Sequence, residues 1–284
     1  MGDTLNILGN PVGKEERSLP LYSSPPVIET VLGFQFLPID GFSLLHLGLF
    51  WSRVKQEYPK YQIKAPLTPL VEQFEGLQVA PQSLGIELVQ EPEVRCWLID
   101  QPENHLVQIQ KDRFHFNWKK VTGREIYPQY DTCKPRFAGE WERFCQFLAD
   151  EKLGAAQVTQ CEITYVNHLD MGRGWASYFE LDKVFTGLSS MSDRKLLREP
   201  EHLSLNYVYV IPGKKGRLYI DVRPGIRRED GTQTIQLQIT ARGKPVSSQL
   251  GDLLQWLDLG HEWIVNGFTD FTTQYMHTLW GRKL

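Results

Sequence analysis

The feature that most constrains the fold is strict polar–apolar alternation over residues 106–118, which read LVQIQKDRFHFNW. Apolar and polar residues alternate on both sides of the triplet KDR, which is the pattern of two antiparallel strands joined by a tight turn. One face of this hairpin is aliphatic and aromatic, and the other carries amides and an imidazole. The pattern therefore predicts an antiparallel sheet that helices cover on one side only.

The composition indicates a folded chain that can bury a sizeable core. Of the 284 residues, 41% are hydrophobic and 12% are aromatic. The 31 basic and 34 acidic side chains give a formal net charge of −3, so no field of the whole chain attracts nucleic acid or an anionic membrane. Because neither a secretory signal pattern nor a run of about 18 apolar residues occurs, we expect a cytoplasmic protein with no membrane partner.

The four cysteines are expected to be small buried hydrophobic residues. Cys96, Cys133, Cys145 and Cys161 include no closely spaced pair. Their spacing argues against a zinc knuckle and against a dense disulfide scaffold. We predict no cofactor and no bound metal.

The order of elements is predicted to be the same in two halves of the chain. Residues 1–24 are polar and charge-mixed, and we expect a flexible lead-in. In the first half, residues 25–154, the predicted elements are a strand (27–36), a helix (42–58), a long Pro-, Gln- and Gly-rich connection, a strand (94–100), the hairpin, and a helix opening at Pro135. In the second half, residues 155–284, they are a strand (158–169), a partly helical stretch (175–188), three strands (203–211, 217–223 and 234–241), and a long helix from Pro245 that could break at Gly260.

This order predicts an α+β fold made of two pseudo-repeated strand–helix–three-strand–helix halves. If the two sheets pair edge to edge, they form a curved antiparallel sheet backed by helices. Such pairing also removes two exposed sheet edges.

Three segments of the chain resemble a known family. They are PPVIETVLGFQF, the hairpin sequence IQKDRFHFNW with YPQY shortly after it, and a C-terminal helix ending in MHTLWG. Together they resemble a sporadically distributed prokaryotic family of about this length, known mainly as uncharacterised, over residues 25–281. The resemblance implies a single unit over that range and no catalytic residues. The sporadic occurrence of that family favours an accessory or defence-type system over core metabolism.

The polar face of the hairpin is the first candidate site. Amide side chains orient ligands by hydrogen bonds, and an imidazole can add an acid–base group. The candidate ligand- or partner-binding residues are Gln108, Gln110, Arg113, His115 and Asn117, with Glu29 and Gln35 of the first strand beside them. The alternative is that these side chains simply face water, as alternation predicts for a one-sided sheet.

A second candidate combines His168 and Asp170, with Glu162 upstream. Strand residues two positions apart point the same way, so these side chains could converge on a cation. The ligand set is incomplete, and no metal site is therefore predicted.

Basic residues at predicted turns of the second half form a third candidate. If the turns lie at one end of the sheet, they form a patch able to take phosphates. The residues of this candidate basic patch are Lys214, Lys215, Arg217, Arg227 and Arg228. The alternative is that charged hairpin tips deter edge pairing. Nucleic acid is therefore an alternative partner and not the favoured one.

The closing helix carries more aromatic residues than one narrow stripe can hold. Trp263, Tyr275 and Trp280 are therefore candidate interface residues, and a protein partner or a homo-oligomer is expected. The alternative is that all of them belong to the core.

The sequence favours a non-enzymatic binding or interaction protein. It lacks the usual nucleophile, phosphate-loop and metalloprotease motifs. The alternative is a hydrolytic enzyme that uses His115 or His168 as a base in a sheet cavity. An open groove beside exposed aromatic side chains would favour the binding protein, whereas a deep closed pocket with convergent titratable groups would favour the enzyme.

Overall fold

Most of the described strands form one antiparallel sheet. The structure, a computed structural model, describes residues 18–68, 70–74, 93–189, 196–197, 200–227 and 230–283. The strands are β1 (Leu21–Tyr22), β2 (Val27–Phe36), β3 (Lys60–Lys64), β4 (Arg95–Ile99), β5 (His105–Gln110), β6 (Arg113–Lys119), β7 (Val158–Asp170), β8 (Leu205–Ile211), β9 (Gly216–Ile226), β10 (Gln233–Gly243) and β11 (Arg282–Lys283). Nine of them lie side by side in the order β3-β4-β5-β6-β2-β7-β10-β9-β8.

The pairing of β2 with β7 joins the two parts of this sheet. Strands β6, β5, β4 and β3 follow on the β2 side, and β10, β9 and β8 follow on the β7 side. Leu32 lies opposite Ile163, and Gly33 lies opposite Glu162. Because side chains alternate along each strand, this register places the apolar residues of both strands on one face.

The helices lie on the apolar face of the sheet. They are α1 (Leu44–Val54), α2 (Tyr130–Asp150), α3 (Leu250–Phe271) and α4 (Gln274–Leu279). The ring of Phe34 on β2 is 4.7 Å from that of Phe137 and 5.0 Å from that of Trp141, both on α2. Helix α1 packs in turn on α2, because the Phe50 ring is 5.6 Å from that of Phe144. Over the described ranges, no helix combines the length and apolarity needed to cross a membrane.

The predicted α+β class with an antiparallel sheet is confirmed. The predicted lead-in falls largely on residues 1–17, which lie outside the described residues. Its last residues form β1, which pairs with β11 and joins the two ends of the described chain.

Two predicted helix boundaries are wrong. Helix α2 begins at Tyr130, so that Pro135 lies in its second turn. A proline there removes one intrahelical hydrogen bond, which a helix packed along the sheet tolerates. The closing helix begins at Leu250 and does not break at Gly260. The missing side chain of Gly260 instead lets α3 approach the sheet, since an added Cβ would lie 2.7 Å from Ile163 Cγ2.

Gly33→Ala is predicted to destabilise the protein because Gly33, which has no side chain, leaves room for the His115 ring of the neighbouring strand. A Cβ at this position would lie 2.1 Å from Cδ2 of His115. Overpacking of this kind costs about 1–3 kcal/mol of unfolding free energy. Chemical denaturation should show that loss, and the loss should shrink when His115→Ala is added.

Gly48→Ala is the matched control for this prediction. Gly48 lies exposed on α1, and an added Cβ meets no atom within 4 Å. Helix propensity should make this variant neutral or up to about 1 kcal/mol more stable. An equal loss of stability in both variants would contradict the packing role assigned to Gly33.

Candidate functional site

The five predicted ligand-binding residues lie on the face of the sheet opposite the helices. All five are buried, including Gln110 at 3% exposure and Asn117 at 2%. The structure therefore brings Gln108, Gln110, Arg113, His115 and Asn117 together on one polar face, and this face does not simply meet water.

Part of this polar face is a hydrogen-bonded network between side chains. Arg95 Nη1 donates to Gln108 Oε1 at 3.0 Å, and Gln108 Nε2 donates to Asn117 Oδ1 at 2.7 Å. Asn117 Nδ2 donates in turn to Glu29 Oε1 at 2.6 Å. Burial raises the pKa of Glu29, and the hydrogen bond from Asn117 partly opposes that shift. Gln108 and Asn117 thus form hydrogen bonds with other side chains of the sheet.

The His115 ring occupies the space that a side chain at Gly33 would need, since an added Cβ would lie 2.1 Å from its Cδ2. Burial lowers the pKa of His115 to about 4. The nearby Glu162 carboxylate opposes this shift, whereas the cations Arg113, Arg95 and Arg242 reinforce it. The imidazole is therefore neutral over the physiological range of pH.

Gln110 and Arg113 hold a segment of the connection between β3 and β4. This segment, which we call the strap, comprises residues 67–68 and 70–74. Gln110 accepts from the Leu67 N–H at 2.8 Å and donates to the Leu67 carbonyl at 2.9 Å. Arg113 Nη2 donates to the Thr68 carbonyl at 3.2 Å.

The far end of the strap inserts one carboxylate among basic residues of the second half. We call the three residues that hold it, Arg217, Tyr219 and Arg242, the socket. Glu72 forms an ion pair with Arg217, accepts from the Tyr219 hydroxyl at 2.6 Å, and lies 3.6 Å from Arg242 Nη1. Burial and the adjoining Glu72 carboxylate raise the pKa of Tyr219 to about 12. The Glu72 side chain is only 4% exposed.

A groove with a volume of about 1150 Å³ lies at the opposite ends of the same strands. Its walls come from the start of β2, the segment after β6, the end of β7, the β9–β10 turn and α4. Its apolar lining includes Ile126 at 90% exposure, Ile226 at 69% and Leu279 at 52%. A space of this size beside exposed aliphatic side chains suits a polypeptide segment or an extended ligand.

The second predicted site lies in this groove. His168 and Asp170 both line it, but Glu162 lies at the other end of β7. Asp170 accepts from Arg227 Nη1 at 2.9 Å. Over the described ranges, no group of three or more His, Cys, Asp and Glu side chains is placed to hold a metal ion.

The predicted basic patch is divided between the two ends of β9. Lys214, Lys215 and Arg217 lie at its start, and Arg227 lies just beyond its end. An 11-residue strand separates these ends by about 33 Å. Arg217 pairs with Glu72, and Arg227 pairs with Asp170 and Asp230. Arg228 lies outside the described residues. The turns therefore do not form one phosphate-binding patch.

The predicted interface aromatics have three different environments. Trp280 is 8% exposed, and its ring lies 5.0 Å from that of Phe268. Trp263 is half-buried at the edge of the core, and Tyr275 is 50% exposed. Trp280 therefore belongs to the core, although it also forms part of the groove wall.

Sequence patterns did not reveal a second polar cluster, which lies beneath α3. Tyr127 donates to the Tyr165 hydroxyl at 2.9 Å, and that hydroxyl lies 2.8 Å from His261 Nδ1. Burial lowers the pKa of His261 to about 4. The adjoining cavity, at about 70 Å³, has room for only a few water molecules. These residues lie far apart in the sequence, so no local motif could have predicted their meeting.

His115→Gln is predicted to make stability less sensitive to acid. Because the folded-state pKa is about 4 and the usual value is about 6.5, the unfolded chain binds this proton first as the pH falls. The contribution of a neutral His115 is complete above about pH 6.5 and declines toward pH 4, with a total of about 2–4 kcal/mol. Urea denaturation between pH 7 and pH 4 should show a shallower decline for the variant.

The exposed His202 provides the control for this experiment. His202→Gln should leave the slope of unfolding free energy against pH unchanged. His261 should still contribute to the slope in both variants, because burial also lowers its pKa. If the slopes of His115→Gln and the unchanged protein coincide, His115 is not held neutral by burial.

Comparison with known proteins does not identify a relative. No family model, curated protein or solved structure matches the chain. The resemblance to the sporadic prokaryotic family therefore stays a prediction, and the function has to be argued from the geometry of the polar face and the groove.

Proposed function

We propose that this protein is a non-enzymatic binding protein that receives a segment of a partner protein in the groove. The observation that carries the proposal is the combination of a groove of about 1150 Å³ with strongly exposed aliphatic residues along it. Exposed apolar surface beside a groove is typical of interaction sites. Its exposed aliphatic side chains, Val121, Ile126, Ile226 and Leu279, come from three separate parts of the chain, because Val121 and Ile126 share the segment after β6.

The charged residues of the groove suit recognition better than catalysis. Arg227 is neutralised by Asp170 at 2.9 Å and by Asp230 at 2.8 Å. Lys120 and Arg173 also line the groove and add positive charge. Mixed polar and apolar lining of this kind gives orientation and affinity to a bound segment.

The hydrolytic alternative has less support. His115 is buried against Gly33 with a pKa of about 4 and does not line the groove. His168 does line it, but Asp170, two residues further along, is already paired with Arg227. A base that abstracts a proton has to reach its substrate, and His115 has no such access.

The proposal includes a pseudo-repeat, in which the two halves of the chain share one order of strands and helices. Its support is the order of strands on either side of β2 and β7. In the first half, β2 is followed outward by β6, β5, β4 and β3, and in the second half β7 is followed by β10, β9 and β8. Strand β3 was not predicted and has no counterpart in the second half, so the first half has four strands after its first helix instead of the predicted three. Ile28 of β2 and His168 of β7 both line the groove, so the proposed binding site lies at one end of the seam between the halves.

Aspartate substitutions in the groove are predicted to abolish capture of the partner. Ile126 and Ile226 are exposed, so Ile126→Asp combined with Ile226→Asp should leave the thermal unfolding temperature nearly unchanged. We expect the tagged protein to retain a partner from an extract of its own cells and the double variant to retain at least tenfold less. Quantitative mass spectrometry of the captured proteins measures this difference.

Val246→Asp is the matched control. Val246 is 91% exposed and follows the end of β10 that lies away from the groove. This variant should capture the partner as the unchanged protein does. Full capture of the partner by the double groove variant would refute the proposed site. If light scattering shows a dimer of the unchanged protein that the double groove variant disrupts and Val246→Asp does not, the partner is a second copy of this chain.

A further inference from the structure

The described residues of the strap lie across the polar face. Leu67 contacts Gln110 on β5, whereas Glu72 contacts Tyr219 on β9. Five strand spacings separate β5 from β9 in the sheet, or about 24 Å. Five residue steps of an extended chain reach at most about 18 Å. The side chains of the sheet and of Glu72 therefore supply part of the distance between the two contacts.

The sheet holds this chain mainly by its backbone. Gln110 binds both the N–H and the carbonyl of Leu67. Gln160 likewise donates to the Leu70 carbonyl and accepts from the Glu72 N–H. Paired contacts of this kind take the place of a neighbouring strand and do not depend on the side chains of the bound segment. The Leu70 and Val71 side chains remain 50% and 61% exposed.

Glu72 is the strap side chain that the face recognises by charge. The socket places two guanidinium groups and one hydroxyl around the Glu72 carboxylate. Arg242 also donates to Glu162, so that one of the two positive charges is balanced within the sheet. The remaining positive charge matches one carboxylate. The guanidinium of Arg217 further lies 4.2 Å over the Phe74 ring.

Strands β4 and β6, which lie on either side of the strap's contact with β5, have hydrogen-bond donors that the strap does not use. Arg95 Nε, Trp97 Nε1 and Arg113 Nε are buried and have no hydrogen-bond acceptor among the described residues. Arg113 is itself only 7% exposed. Burying an N–H group without an acceptor is unfavourable. A segment rich in acceptors would satisfy these donors better than the strap does.

We propose that the polar face is a second binding site, which takes an extended acidic segment of a partner polypeptide and which the strap occupies in cis. The partner's backbone is held by Gln110 and Gln160, and a glutamate side chain enters the socket. The strap is then an internal competitor that the partner segment displaces. This site lies at the opposite strand ends from the groove and does not depend on the function proposed for that groove.

A peptide with the sequence of residues 65–74, APLTPLVEQF, is the probe for this site. In the full-length Glu72→Ala variant the cis competitor loses its anchoring carboxylate, so the labelled peptide should bind at least tenfold more tightly than to the unchanged protein. Replacing the peptide's glutamate with glutamine should weaken binding at least tenfold. Fluorescence anisotropy measures both affinities, and Glu103→Ala, which removes an exposed ion pair with Lys60, is the control that should behave as the unchanged protein does.

A second measurement covers the case in which Glu72→Ala does not fold. In the unchanged protein, a saturating concentration of the peptide should speed hydrogen exchange at the Leu67 and Glu72 amides, which lose their glutamine acceptors when the strap leaves. A folded Glu72→Ala variant that binds no peptide, equal binding of the glutamate and glutamine peptides, or unchanged exchange at saturation would each overturn the proposal. Dimerisation of Glu72→Ala without peptide would assign the site to a second copy and would also overturn it.

Discussion

Antiparallel pairing of β2 with β7 is the interaction on which the rest of the structure depends. It turns two groups of strands into one sheet, and it places Leu32 beside Ile163 and Gly33 beside Glu162. A shift of one residue would exchange the two faces, because side chains alternate along a strand. The helices would then meet glutamine, arginine and glutamate side chains, whereas the strap would meet leucine and phenylalanine. The observed register therefore determines both the core and the polar face.

The polar face, unlike the apolar face, contains buried groups that need hydrogen-bond partners. Its buried amides and guanidinium groups have to find partners within the protein, because a buried polar group without a hydrogen bond is costly. Gln108 and Asn117 meet this demand inside the sheet, and Gln110 and Gln160 meet it through the strap. Glu72 supplies the carboxylate that pairs with Arg217, and this carboxylate also lies 3.6 Å from Arg242 Nη1. The strap is thus part of the electrostatic balance of the sheet, which explains why a segment with exposed Leu70 and Val71 side chains is held there at all.

The α+β class was predicted from the order of strands and helices along the chain. The alternation in residues 106–118 was sufficient to predict the hairpin and its two faces, because a period of two is a local property. The same pattern could not show what covers the polar residues. Their partners lie in the strap and in the second half, and the Glu72–Arg217 pair joins residues far apart in the chain. The sequence did indicate a long connection between the first helix and the strand at residues 94–100, and long connections commonly have a role. It did not reveal β3, which lies at the start of that connection. The sequence left open a break of the closing helix at Gly260, yet a glycine there serves close packing against Ile163.

The two ends of the polar face differ in how their charges are satisfied, and this difference separates their roles. At the strap end, the carboxylate that neutralises the socket comes from a connecting segment, which can leave without unpairing any strand of the sheet. At the groove end, Asp230 belongs to the turn that follows β9, but Asp170 belongs to β7 and so cannot leave Arg227 without unpairing a strand of the sheet. A ligand in the groove therefore gains affinity chiefly from the exposed aliphatic residues. A ligand on the strap path has to replace the Glu72 carboxylate with a carboxylate of its own, because an empty socket would leave Arg217 without its ion pair.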